Sequence, residues 1–100
     1  MSNQKAINSE ILAISILTME ASQQGVAVCF CAYSGHTQEL SVRIYPAGSS
    51  WTSNEPMPEE IYSDSVYLDR AESLNSIRYV RVKVTQAIDS AREGKRERTA

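Results

Sequence analysis

Apolar residues recur along this chain in two helical patterns that flank a stretch of alternating ones. Over residues 3–24, Ile7, Ile11, Ile14, Thr18 and Ala21 fall on one helical face with Leu17 on its border. Gly25 follows, where a left-handed C-terminal cap belongs. A second apolar row, Leu12, Ile16 and Met19, lies roughly 150° round the same helix. An ordinary surface helix has one apolar stripe. This one has two, so its outer side is expected to be covered as well.

The runs 26–33 and 39–46 are rich in Val, Ile, Phe, Tyr and Cys and are joined by Ser34-Gly35-His36-Thr37-Gln38. That predicts a β-hairpin. On the second strand Leu40, Val42 and Ile44 alternate with Ser41, Arg43 and Tyr45, which defines the core face. The first strand is apolar on both faces, with Val26, Val28, Phe30 and Ala32 on one and Ala27, Cys29, Cys31 and Tyr33 on the other. A two-residue type II′ turn, with Gly35 at its first central position, would pair Ser34 with Thr37. Cys31 then faces Leu40 and Cys29 faces Val42, and both thiols lie in the core. A three-residue loop would shift the pairing by one and bury Phe30 instead. The first register is the expectation. It leaves Val28, Phe30 and Tyr45 as an apolar patch on the other face of the sheet.

Residues 47–64 carry Gly48, Asn54, Pro56 and Pro58 and read as a long loop. Trp51, the single tryptophan, is read as a lid over the core edge, with an exposed anchor for a partner as the alternative. Val66-Tyr67-Leu68 reads as a short third strand. Asp69, with Glu72 three residues on, resembles a capping box that opens a last helix. Leu74, Ile77, Val80, Val84, Ile88 and Ala91 continue that helix. The alternation of Val80, Val82 and Val84 with Arg81 and Lys83 is a competing strand signal. Helix is preferred, because no Gly, Pro or Asn interrupts 77–93 and a strand of that length is improbable. Gly94 is expected to end the helix and 95–100 to be a disordered tail. The predicted fold class is α+β, in the order α-β-β-β-α, with two helices packed on one face of a small antiparallel sheet, as a single domain over 1–100.

Composition changes this picture little: 42% hydrophobic, 22% charged and a net charge of −2 describe an ordinary globular chain. Charge placement is more informative. Residues 1–69 hold two basic and eight acidic side chains, and residues 70–100 hold eight basic and four acidic. Either the two parts attract each other when folded, which is the preferred reading, or the C-terminal part meets an anionic partner. Arg78, Arg81, Arg92 and Arg96 fall within an arc of roughly 60° beside the apolar stripe of the last helix. There they either snorkel along the core edge or contact nucleic acid.

Candidate chemistry is sparse. Cys29, Cys31 and His36 are the only soft metal ligands, and a structural zinc site wants four. Two cysteines two residues apart on one strand lie about 7 Å apart along it, which is poor disulfide geometry. Reduced thiols and a cytoplasmic location are therefore expected. No secretory signal, membrane span, phosphate loop or catalytic constellation is read from the chain. No cofactor, no metal and no enzymatic activity are expected.

The element order resembles that of double-stranded-RNA-binding domains, and Gly35-His36 before the second strand resembles their minor-groove loop. Those domains open the last helix with a Lys-rich cluster. The matching residues here are Arg70-Ala71-Glu72-Ser73-Leu74-Asn75, an acidic capping turn that opposes phosphate binding. A second resemblance spans roughly residues 25–90. Tyr33-Ser34-Gly35-His36, Leu40-Ser41-Val42-Arg43-Ile44-Tyr45 and Val66-Tyr67-Leu68-Asp69 look like segments of small uncharacterised proteins carried by phages and prophages of enteric bacteria. That resemblance implies a cytoplasmic accessory protein and supplies no catalytic residues.

The functional expectation is a non-catalytic protein–protein interaction protein, phage-encoded, that binds a host or phage protein. It is expected to be a homodimer through Leu12, Ile16 and Met19, with Val28, Phe30, Tyr45 and Trp51 as further interface candidates. The alternative is a nucleic-acid-binding module that uses the four arginines of the last helix.

Overall fold

The computed structural model describes residues 2–51 and 58–99. Helix α1 spans Ser2–Gln23. It stops because Gly25 takes the left-handed conformation, with φ at 70°. The Val26 amide then reaches Ala21 O at 2.9 Å and the Gly25 amide reaches Ser22 O at 3.2 Å, which closes the last turn as a Schellman motif. Ile7, Ile14 and Ala21 are buried beneath α1. Buried Thr18 satisfies its hydroxyl by donating to Ile14 O at 2.9 Å.

Strands β1 (Ala27–Ser34), β2 (Glu39–Pro46) and β3 (Tyr62–Tyr67) form an antiparallel sheet in the order β1-β2-β3. Helix α2 spans Ser73–Thr99. Both helices lie on one face of the sheet, α1 over β1 and α2 over β3, and they pack against each other. The architecture is α+β, α-β-β-β-α. The core is Leu40, Val42 and Ile44 from the central strand, enclosed by Ile14 and Ala21 on one side and Ile77, Val80, Val84 and Ile88 on the other.

The hairpin register differs from the expected one. Ser34 pairs with Glu39, Cys31 with Val42 and Cys29 with Ile44, so the loop has four residues, Gly35 to Gln38. Gln38, rather than Gly35, takes the positive φ, at 52°. The Gln38 side-chain amide donates to Gly35 O at 2.9 Å, and the Thr37 amide donates to Ser34 Oγ at 3.4 Å. The slip is two residues. An even slip keeps every side chain on its face, so Cys29 and Cys31 still lie on the helix side, and Phe30 lies on the other. Both cysteines are half-buried against the core's margin rather than inside it as expected, because they sit on the open edge strand.

Strand β3 begins at Tyr62, four residues before the expected strand, which shortens the loop predicted over 47–64; residues 52–57 of that loop lie outside the described residues. Ser63, Asp64 and Ser65 have poor strand propensity, and their conformation is imposed by pairing with Arg43, Val42 and Ser41. Asp69 does not cap α2. The helix starts at Ser73, whose buried hydroxyl accepts from the Arg70 amide at 2.9 Å and donates to Tyr67 O at 2.7 Å. Asp69 instead meets the Arg70 guanidinium at 3.4 Å. Ile77, Val80, Val84 and Ile88 are buried and Val82 is exposed, as helical spacing requires and strand alternation does not. The helix passes through Gly94 to Thr99 without the expected break.

Candidate interaction site

The second apolar row of α1 is open. Leu12 is 63%, Ile16 47% and Met19 52% exposed, so within this chain no described residue covers the ridge. It faces away from α2. Glu10, roughly 160° round the helix from Leu12, is bonded to Arg81 of α2, and Arg92 Nη1 donates to Gln24 Oε1 at 2.8 Å.

The ridge instead overlooks the open edge of the sheet. A cleft of about 400 Å³ lies between Leu12 on α1 and Tyr33 on β1, floored by Ile11 and Leu68. A second, of about 310 Å³, lies between Met19 and the pair Cys29 and Cys31. Ser15 Oγ is 3.8 Å from Cys31 Sγ. The thiols are therefore half-buried in the cleft floor. Burial pushes the Cys29 thiol up, a hydrogen bond from Ser22 opposes this, and neighbouring Cys31 adds to the rise. Tyr33, 53% exposed, was not among the sequence candidates. Its signal was its place on the same face of β1 as the two cysteines.

The outer face of the sheet is partly closed by its own aromatics. Tyr45 and Trp51 meet edge to face with centroids 5.0 Å apart, Phe30 and Trp51 at 5.5 Å, and Phe30 and Tyr45 at 5.9 Å. Tyr45 is only 2% exposed. It was expected in an open patch, and Phe30 and Trp51 bury it. Trp51 covers this outer face rather than the core edge, and stays 44% exposed. Arg43 lies over the Phe30 ring at 5.1 Å and donates to the Tyr45 hydroxyl at 3.4 Å. Val28 is half-buried beside them.

Of the four arginines proposed for nucleic acid, Arg81 is engaged by Glu10 of α1 and Arg92 by Gln24 just past its end, Arg78 is exposed, and the side chain of Arg96 lies outside the described residues. A polar cleft of about 510 Å³ lies between β3 and the start of α2, lined by Asp64, Arg70, Glu72, Asn75 and Tyr79. Beside it the Tyr62 hydroxyl donates to Asp64 Oδ2 at 3.1 Å. Burial and the adjacent Asp64 carboxylate together hold the Tyr62 phenol protonated far above its usual range. His36 is exposed in the hairpin loop. Among the described residues no three of His, Cys, Asp and Glu gather into a metal-binding group, and no helix is long and apolar enough to cross a membrane. The chain matches no protein-family model, no curated protein and no solved structure.

Proposed function

We propose that this chain is a non-catalytic protein–protein interaction protein whose working form is a homodimer built on α1. The observation that carries the reading is the ridge of Leu12, Ile16 and Met19, which is exposed on a helix whose opposite face already fills the core. Fully burying side chains of this size is worth about 1.5–3 kcal/mol each before the cost of association. Exposed apolar ridges of this kind mark interaction surfaces. A two-fold contact uses the ridge twice and is the commonest symmetry. The phage-accessory resemblance is compatible with such a role. The competing nucleic-acid reading has weaker support, because Glu10 and Gln24 occupy two of its arginines.

Co-expression of a tagged and an untagged copy tests the proposal. The tagged wild type should retain the untagged chain in equal amount, and a tagged Leu12→Glu, Ile16→Glu variant should not. A tagged wild type that retains neither the untagged chain nor any other protein in stoichiometric amount would end this reading.

A further inference from the structure

Strand β1 is an edge strand, and apart from the Cys29 amide, which Ser22 occupies, its open side is undefended. It has eight residues, Ala27 to Ser34, with no charge, no Pro and no bulge, the devices that ordinarily block a strand edge. The far edge is different. On β3 the Asp64 carboxylate takes the Ser65 amide at 2.8 Å, so that edge carries both a charge and a blocked donor. On β1 the Cys29 amide points away from β2, since it donates to Ser22 Oγ at 3.1 Å. By the alternation of an antiparallel ladder, the amides and carbonyls of Cys31 and Tyr33 point the same way. Among the described residues nothing pairs with them.

We propose that a second copy of this chain pairs its β1 antiparallel to this β1, with Cys31 opposite Cys31, to form one six-stranded sheet. The inference rests on the homodimer reading above and specifies its geometry. A two-fold axis normal to the sheet at Cys31 keeps both helix layers on one side. Cys31 lies level with Ser15, Tyr33 with Leu12, and Cys29 with Ser22. The same axis therefore passes α1 near Ile16, the middle of the ridge. Ile16 then faces Ile16, Leu12 faces Met19, and the polar flanks Ser9 and Gln23 meet. One axis thus satisfies both the strand edge and the helix ridge, two features that arise from different elements.

Charge and area both fit a second copy. Antiparallel self-pairing of an uncharged strand opposes no like charges, whereas head-to-tail pairing would bring β1 against the blocked β3 edge. The dimer is therefore closed rather than a growing fibre. Leu12, Ile16, Met19 and Tyr33, at 63%, 47%, 52% and 53% exposure, offer on the order of 400 Å² if a fully exposed large side chain has about 200 Å². That is roughly half of what a standard interface takes from each partner, and the strand edge and clefts supply further contact.

The pairing brings the two Cys31 Cα atoms to about 5.5 Å, within disulfide reach. Diamide, which takes two electrons and two protons from a pair of thiols, is the probe. At a concentration where sedimentation shows a dimer, wild type and Cys29→Ser should cross-link in high yield and Cys31→Ser should not. The Cys31 and Tyr33 amides should also exchange with solvent at least tenfold more slowly in the dimer than in a Leu12→Glu, Ile16→Glu monomer. A dimer that fails to cross-link through Cys31 and leaves those amides unprotected would overturn the strand pairing while leaving the homodimer intact. A monomeric wild type would overturn both.

Discussion

The Cys29 amide and the Ser22 hydroxyl, 3.1 Å apart, tie the last turn of α1 to the open edge of β1. Ser22 acts as a stop: it satisfies the outward amide of Cys29 and leaves the next two along the strand, at Cys31 and Tyr33, for another chain. Ser22→Ala should expose the Cys29 amide to rapid hydrogen exchange. It should destabilise the fold by about 0.5–1.5 kcal/mol, read from the urea midpoint. It should also raise the Cys29 thiol further, because the Ser22 hydroxyl's separate hydrogen bond to that thiol, which lowers it, is lost as well.

Alkaline stability follows from two groups whose folded state holds the proton more tightly than the unfolded chain does, Cys29 and Tyr62. Between the unfolded and folded pKa values the native state binds more protons, so stability falls as pH rises. The contribution is fully present below the unfolded thiol range, about pH 8.5, and is lost above it, with the tyrosine contribution following above about pH 10. Urea midpoints should be flat from pH 7 to 8 and decline beyond, and Cys29→Ala should delay the onset of the decline. Alkylation of Cys29 at pH 7.5 should also run slower than that of an unfolded control.

The thiols lie on the helix side of the sheet as expected, though half-buried rather than in the core, and the side is kept for a reason visible in the residues. The register moved by two, and alternation is blind to an even slip. What hydrophobic pattern cannot give is which residue accepts the left-handed position of a turn, and here Gln38 took it from Gly35. Strand β3 was half illegible because Ser63-Asp64-Ser65 carries no strand preference and depends on β2. The Asp69 cap gave way to Ser73, whose hydroxyl serves the chain both before and within the turn. The end expected at Gly94 gave way to helix-favouring Glu93, Lys95, Arg96 and Glu97, since one glycine costs only about 1 kcal/mol. The ridge on α1 was fully legible, because helical spacing separates two faces without reference to tertiary contacts. Trp51 was not, because its position over Tyr45 depends on the path of a loop.

The outer-face aromatics should contribute stability without contributing to association. Trp51→Ala uncovers Tyr45 and removes two edge-to-face contacts. A loss of about 1–3 kcal/mol is expected, with the molecular mass in solution unchanged. A Trp51→Ala chain that folds as a monomer would mean that this face, and not α1, carries the contact.

The Arg81–Glu10 pair is predicted to be structural. With Glu10 largely buried, Arg81→Ala should cost about 1 kcal/mol in urea titrations, and less in high salt. Fluorescent duplex RNA and DNA should give flat titrations even at low ionic strength. A saturable signal that Arg78→Glu, Arg81→Glu abolishes would instead favour nucleic acid as the ligand of α2.

Sedimentation equilibrium at tens of micromolar, run on the wild type beside the Leu12→Glu, Ile16→Glu variant, tests the central claim most directly. The wild type should fit twice the mass of the 11.1 kDa chain, and the variant should fit a single chain with an unchanged far-ultraviolet circular dichroism spectrum. A wild type that sediments as a single chain, or a variant that remains dimeric, would contradict self-association through the α1 ridge.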